Sequence, residues 1–382
     1  MEIYSNEYRK YLGIKPLKDN YKCEIYEDGC IKILVYFDKD KIVKIINIFI
    51  TDKYFSLEEK DVDYDTTNNH KIILPKTNRG KPKKTTFSVI ENLSGYGTYF
   101  YISKPKDKEG YYIIGNYTMQ KTFLKEYFDD KISDLDSLIE WLNNYINDLT
   151  ADDLEELKLF INEKRNHINY KEGDYFRVKV GKHSYTYGRI LMDVYKRTKK
   201  GFKYWDILMG RPLIIEIFHI LTEDKNVSIN KLKTLPTYPT QHIMDNNIYY
   251  GDYQIIGHDE LPKDIKYPIM YGKSISGIDP NKIIFQCGEV YKEIEYNNNL
   301  IKNTNESQYD DADFRNHGIG YDINLNEKLL KETYLDKDNS NFWKDKAYQS
   351  NIDLRSPKNK DYLKQVLQQM DLEYLYDLYK DC

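Results

Sequence analysis

At 382 residues the chain has room for two or three domains and at least one sizeable core. Its 57 basic against 61 acidic residues leave a net charge of -4, which argues against a dedicated nucleic-acid binder with its usual basic excess. A composition 40% hydrophobic and 31% charged is that of a soluble globular chain, neither disordered nor membrane-embedded. The densest apolar run, Ile42 to Ile50, is broken by Lys44 and Asn47 and falls short of the roughly 20 residues that span a bilayer. The start MEIYSNEYRK has no apolar core behind a basic stretch, so no secretory signal is expected. Cys23, Cys30, Cys287 and Cys382 are too scattered for a disulfide framework, and a cytoplasmic location is the expectation that follows. The 38 tyrosines have two readings that composition does not separate. AT-rich codons would fill amphipathic positions with Tyr, and binding surfaces would use its ring for contact area at little rotamer entropy.

In chain order, Lys22 to Tyr26 and Ile31 to Phe37 are short apolar-rich runs around Asp28-Gly29, a hairpin signal. Ile42 to Ile50 is a third strand, followed by a polar stretch from Ser56 to Asn69 and the short run Lys71 to Leu74. Arg79 to Lys84 is a basic loop, and Tyr96 to Ser103 and Tyr111 to Tyr117 are two more strands. Near residue 133 the period changes. Leu135, Leu138, Ile139, Leu142 and Ile146 fall at helical spacing, and Thr150 with Asp153 forms a capping-box pattern ahead of Leu154, Leu157 and Ile161. The apolar stripes of this helical hairpin read as packing faces. From Tyr170 the strands return: Tyr175 to Val180, Ser184 to Val194, a basic loop Tyr195 to Gly201, and Phe202 to Leu208. Ile214 to Leu221 fits strand or helix. Tyr296 to Ser307 reads as a linker, and Ser356-Pro357 opens a last helix with Tyr362, Val366, Met370, Tyr374 and Leu378 near one face. The expected fold is α+β: mostly β modules, each a small barrel or rolled sheet, joined by a helical hairpin and followed by a helical C-terminal segment. The expected divisions are 1–130, the hairpin connector 131–169, a β domain 170–296, and 297–382.

Catalytic and metal motifs find no support. Gly318-Ile319-Gly320-Tyr321 begins like a dinucleotide fingerprint, but Ile323 occupies the next glycine position and no apolar strand precedes it. Cys23 and Cys30 have no second pair for zinc, and His70, His167, His183, His219, His242, His258 and His317 show no metal-ligand spacing. His219, in an apolar run, reads as a core or edge side chain. Asp310, Asp311 and Asp313 read as a solvated acidic loop. No catalytic residue, metal or cofactor is therefore expected.

Tyr170 to Leu191 reads YKEGDYFRVKVGKHSYTYGRIL. Gly173-Asp174 is a sharp turn, Asp favouring such positions through local hydrogen bonds. Along the strand that follows, Tyr185, Tyr187 and Arg189 share one face, and Gly188 permits close approach of a neighbour. Two tyrosines beside an arginine make a patch suited to protein contact, or else a packed interior with Arg189 paired to a carboxylate such as Asp206. The turn and strand with Gly173, Asp174 and Phe176, then Tyr185, Tyr187, Gly188, Arg189, Ile190 and Leu191, resemble the opening of the immunity protein 26 family of bacterial polymorphic toxin systems. The resemblance runs through Tyr204-Trp205-Asp206 to about Glu295. It implies a mostly β domain that binds and neutralises a cognate toxin protein, encoded nearby. Lys196, Arg197, Lys199, Lys200 and Trp205 join Tyr185, Tyr187 and Arg189 as expected partner-binding residues, with Gly173, Asp174, Phe176 and Gly188 structural. Residues 170–296 hold 19 Lys/Arg against 16 Asp/Glu, so their basic loop suits an acidic toxin surface or a phosphate backbone. A nucleic-acid-binding barrel and a hydrolase or nuclease assembled from distant residues are the alternatives, and no membrane partner is expected.

Overall fold

Apolar residues alternating between short polar turns fold the first part of the chain into an antiparallel meander. The computed structural model describes residues 3–65, 78–81, 86–204, 211–273, 282–295, 314–315, 323, 325–344 and 353–379. Two units result, Met1–His167 and Ile168–Cys382. In the first, α1 (Asn6–Tyr11) precedes β1 (Lys22–Asp28), β2 (Ile31–Asp38), β3 (Lys41–Thr51) and β4 (Tyr54–Asp65). Then come α2 (Phe87–Glu91), β5 (Thr98–Pro105), β6 (Gly110–Asn116), β7 (Lys121–Phe128), α3 (Leu135–Asn147) and α4 (Ala151–Asn162). The strands pair in chain order, and Gly29 takes the left-handed conformation (φ 58°) in the first turn.

One sheet face packs on the helices. Leu34, Ile46, Leu57, Phe100, Tyr112 and Ile114 are buried with Leu138, Trp141 and Tyr145 of α3 and Leu157 of α4. Capping boxes at Asp134/Ser137 and Thr150/Asp153 start the two helices, and their apolar stripes are packing faces. On the opposite face, Ile90 of α2 and Leu93 cover Ile33, Val35, Ile42, Ile45 and Val62. Toward β7 that face carries half-exposed or exposed tyrosines. Tyr101 and Tyr111 lie 5.6 Å apart, and Tyr111 and Tyr127 lie 6.0 Å apart.

The polar stretch beginning at Ser56 is mostly strand. Its charges are answered inside the sheet: Lys44 Nζ lies 2.9 Å from Glu59 Oε1 and 2.8 Å from Asp61 Oδ1, and Arg9 Nε donates to Glu59 Oε1 at 2.8 Å. All four residues are buried. Burial pushes the Glu59 carboxyl up, but the Lys44 and Arg9 charges together hold it below its ordinary range. β7 is missing from the sequence reading because the adjacent pair Phe123-Leu124 breaks the alternation. A register shift between Ile114 and Gly115 accommodates it.

In the second unit, β8 (Asp174–Lys179), β9 (Tyr185–Asp193), α5 (Val194–Thr198), β10 (Pro212–Ile217), α6 (Ile229–Leu232), β11 (Gln241–Met244), α7 (Asn246–Tyr249) and β12 (Gln254–His258) build a five-stranded antiparallel sheet. Its order is β11-β10-β9-β8-β12, with β11 and β12 as edges. Of the two expected forms, small barrel or rolled sheet, the described strands form no closed barrel. The sheet stays open because separate segments cover its faces. A second sheet, ordered β15-β14-β13-β16, comprises β13 (Ile269–Lys273), β14 (Lys282–Cys287), β15 (Val290–Glu295) and β16 (Phe314–Arg315). Next come α8 (Glu327–Thr333), α9 (Ser340–Lys344), α10 (Lys360–Gln369) and α11 (Tyr376–Tyr379). Leu329, Leu330, Phe342 and Trp343 pack against Phe176, Ile190, Leu213 and Ile215, while Leu363, Val366, Leu367 and Met370 pack against Ile269, Tyr271 and Phe285. The ambiguous run at Ile214 is strand through Ile217. The basic loop starting at Tyr195 is instead mostly a short helix, capped by Asp193, whose side chain accepts from Lys196 N. Phe202 to Tyr204 form no strand, and 205–208 lie outside the described residues. No described helix is long and apolar enough to cross a membrane.

Replacing Lys44 with Met removes the buried cation shared by Glu59 and Asp61 and leaves Asp61 only the more distant Lys15, so Lys44→Met lowers unfolding free energy by about 3–5 kcal/mol. Urea denaturation followed by circular dichroism measures this, and a loss under about 1 kcal/mol contradicts it. A pH dependence comes from the second unit. Burial, then the Arg355 charge, depress His242 from its ordinary 6.5 to about 3. The unfolded chain takes up a proton below about 6.5 that the folded chain refuses. Stability is thus full above that pH and falls on acidification by up to about 1.4 kcal/mol per pH unit. Buried His219, also shifted down by burial, adds to the same slope. Denaturation midpoints at successive pH values from neutral to mildly acidic should show the slope, and His242→Gln should flatten it.

Candidate functional site

Strands β8, β9 and β10 hold the residues that the sequence singles out. At the entry to β8, Gly173 has φ 89°, and its N–H donates to Ile190 O at 2.8 Å. A Cβ there would lie 2.3 Å from Asp259 O, so this turn and the end of β12 meet only with glycine between them. Asp174 Oδ2 accepts from Lys171 N at 2.8 Å, and its Oδ1 lies 2.9 Å from His258 Nδ1. Phe176 stands opposite Gly188 in the β8–β9 register and stacks on Tyr253 with ring centroids 5.5 Å apart. A Cβ on Gly188 would lie 2.4 Å from Phe176 Cζ and 2.6 Å from Glu216 O.

Tyr185, Tyr187 and Arg189 point to the other face, and there the docking patch is corrected. They are 3%, 0% and 8% exposed. Phe218 and Leu232, with Ile220, Val227, Ile229 and Leu235, fold over them. Arg189 Nε donates to Glu216 Oε1 at 2.6 Å, and its Nη1 donates to the Tyr175 hydroxyl at 2.9 Å. Tyr187 OH donates to Asp224 O at 2.6 Å. Burial pushes the Glu216 carboxyl up, against the opposing pull of the Arg189 guanidinium. The aromatic-guanidinium set builds the interior of the module, because the segment after β10 returns across it.

The surface chemistry lies at the end of β9. Lys196, Lys199 and Lys200 are exposed. Lys199 lies over the Tyr195 ring at 4.5 Å and Arg211 over the same ring at 5.0 Å. Lys196 Nζ lies 2.9 Å from Asp193 Oδ2 and over Tyr170 at 4.7 Å. Lys200 has no ion pair among the described residues. Arg197 is structural: its Nε and Nη2 donate to the two Glu172 oxygens at 2.8 and 2.6 Å, and it also pairs with Glu289. Trp205 lies outside the described residues, as do Asp310, Asp311, Asp313, Gly318 and Gly320. In the other basic loop, Arg79 and Lys81 are exposed and 82–84 are outside that range. Among the described residues no group of three His, Cys, Asp or Glu is placed to hold a metal ion. His219 is buried, stacked 3.9 Å from Tyr238, with Nε2 2.9 Å from Asn339 Oδ1. Two features escape the sequence reading. Arg211 joins the lysines from a distant position, and the His258–Asp174 pair joins strands that are far apart in the chain. Neither has a local signal.

Gly188→Ala drives a methyl into Phe176 and the β10 backbone, so a loss of about 1–3 kcal/mol in chemical denaturation is expected. A neutral substitution would mean that the Phe176 ring moves aside freely.

Residues 171–284, under a third of the chain, match the family model of immunity protein 26. No curated protein and no solved structure matches the chain. The resemblance carried by Gly173, Asp174, Phe176 and Tyr185 to Leu191 therefore holds over the stretch from β8 into β14, which contains the whole five-stranded sheet.

Proposed function

We propose that the protein binds a cognate bacterial toxin domain and neutralises it by contact, with no chemistry of its own. The observation that carries this reading is the match of residues 171–284 to an immunity family. The cations at the end of β9 support it, because Lys196, Lys199 and Lys200 lie within the matched stretch and stand in solvent beside Tyr195. Such a cluster would steer an acidic surface and set its orientation, while most of the affinity comes from apolar contacts nearby. A standard interface of about 1,600 Å² exceeds this patch and takes in neighbouring surface.

The test is co-expression with the toxin encoded beside this chain. Growth rescue and co-purification are expected, with Lys199→Glu/Lys200→Glu weakening the complex by about tenfold or more, largely through slower association. Rescue that survives this change but fails with Tyr111→Ala/Tyr127→Ala moves the docking surface to the first unit's sheet. No protection against any neighbouring toxin, with salt-dependent RNA binding instead, replaces the reading by nucleic-acid binding.

A further inference from the structure

The first unit holds a cleft of about 840 Å³, bounded by α1 and the loop after it, the turns before β5 and after β6, and α4 with its tail. That size lies within the roughly 300–1,000 Å³ of small-molecule sites. Its floor is apolar, with Ile14, Met119 and Leu157 buried there. Gly13 (φ 70°) lets α4 close on the loop, since a Cβ would lie 2.9 Å from Leu157 Cδ1. Two buried polar side chains face the same space. Asn116 Oδ1 accepts from Met119 N at 3.0 Å, while its amide nitrogen and the Thr98 hydroxyl have no hydrogen-bond partner among the described residues.

The charge around the cleft is one-sided. Lys10, Lys15, Lys158, Lys164 and Arg165 line it, against a single carboxylate, Glu163. Both Glu163 oxygens are already held by Lys121 Nζ, at 2.8 and 2.7 Å. Residues 1–167 carry 26 Lys/Arg and 29 Asp/Glu, so these cations gather here against the balance of their own unit. Lys15 shares its charge with Asp61 at 3.4 Å, and Arg165 donates to Gln120 at 3.2 Å. Lys158 and Lys164 have no ion pair among the described residues. Half-buried Tyr11 and Tyr96, 48% exposed, add ring faces at the rim.

We infer that this cleft binds a small organic polyanion, an aromatic body carrying two or more phosphates, of the nucleoside diphosphate type. Several lysines suit a multiply charged phosphate chain, the apolar floor and the tyrosines suit a flat body, and Thr98 and Asn116 supply hydrogen bonds for its orientation. A long nucleic-acid strand would need a continuous basic track, which a net acidic unit does not offer.

Calorimetric titration of the full chain with ADP, adenosine and inorganic pyrophosphate at low ionic strength tests this. ADP should bind, and adenosine and pyrophosphate should each bind at least about tenfold more weakly. Lys158→Glu/Lys164→Glu, on exposed positions, should weaken ADP by at least about tenfold with an unchanged circular dichroism spectrum, while Lys337→Glu in the other unit should not. No heat with ADP, or equal binding by the double variant, overturns the site. Adenosine equal to ADP removes the anion requirement, and pyrophosphate equal to ADP removes the organic body; either result overturns the assignment.

Discussion

Charge carried into the middle of a β-sheet must be answered there, since an ion taken out of water without a partner is costly enough to open the fold. Both units meet this constraint with cross-strand or near-strand pairs. In the first, β4 brings Glu59 and Asp61 beside Lys44 of β3, and α1 supplies Arg9. In the second, Arg189 of β9 pairs with Glu216 of β10 and takes the Tyr175 hydroxyl of β8 as its acceptor. Bidentate Asp353–Arg355 repeats the device beneath the second sheet, with Arg355 Nη1 also donating to Thr240 Oγ1 at 2.9 Å. Such pairs add little net stability over apolar packing, but removing one member is severe, so they select one register against its neighbours.

This explains why the Tyr-Gly-Arg strand is an informative pattern while its side chains face inward. Phe176 lies across from Gly188, and its ring fills the space that the missing side chain leaves. Tyr175 stands opposite Arg189 and receives its hydrogen bond. A Gly-Asp-x-Phe strand and a Tyr-Gly-Arg strand are thus two halves of one packing solution. A register slip of one residue would set Arg189 against Phe176 and bury its charge unanswered. The first sheet uses the same aromatic-over-glycine device where the Tyr99 ring covers Gly115.

Local features were legible in the sequence: the Asp28-Gly29 turn, the Thr150/Asp153 capping box, the alternating strand at Tyr185, and the α+β class. What escaped was set by distant chain. Alternation places Tyr185, Tyr187 and Arg189 on one face, yet whether that face meets water depends on residues 218–235 returning over it. β4 read as a polar stretch because its partners, Arg9 and Lys44, lie in other elements. The cleft draws its cations from α1, the following loop, and α4 with its tail, three segments with no common motif. The abundance of tyrosine divides between both of its readings: Tyr112, Tyr145, Tyr175 and Tyr187 are core, whereas Tyr101, Tyr111 and Tyr127 line an open sheet face.

The matched stretch does not complete its own interior. Ile323, Leu325, Leu329, Leu330, Phe342 and Trp343 lie beyond residue 284 and finish the core over Phe176, Ile190 and Ile215. Arg197 reaches from α5 to Glu289 in the turn after β14, so one end of the basic helix is fixed by chain outside the match. That anchoring leaves Lys199 and Lys200, which directly follow the five-residue α5, at a defined place on the surface. A cation on a flexible loop would lose orientation entropy on docking, whereas one directly after a helix tied down at Glu172 and Glu289 has already lost part of it. If the lysines touch a partner as proposed, the residues that hold the patch still, Arg197 with Glu172 and Glu289, contribute to that contact as well.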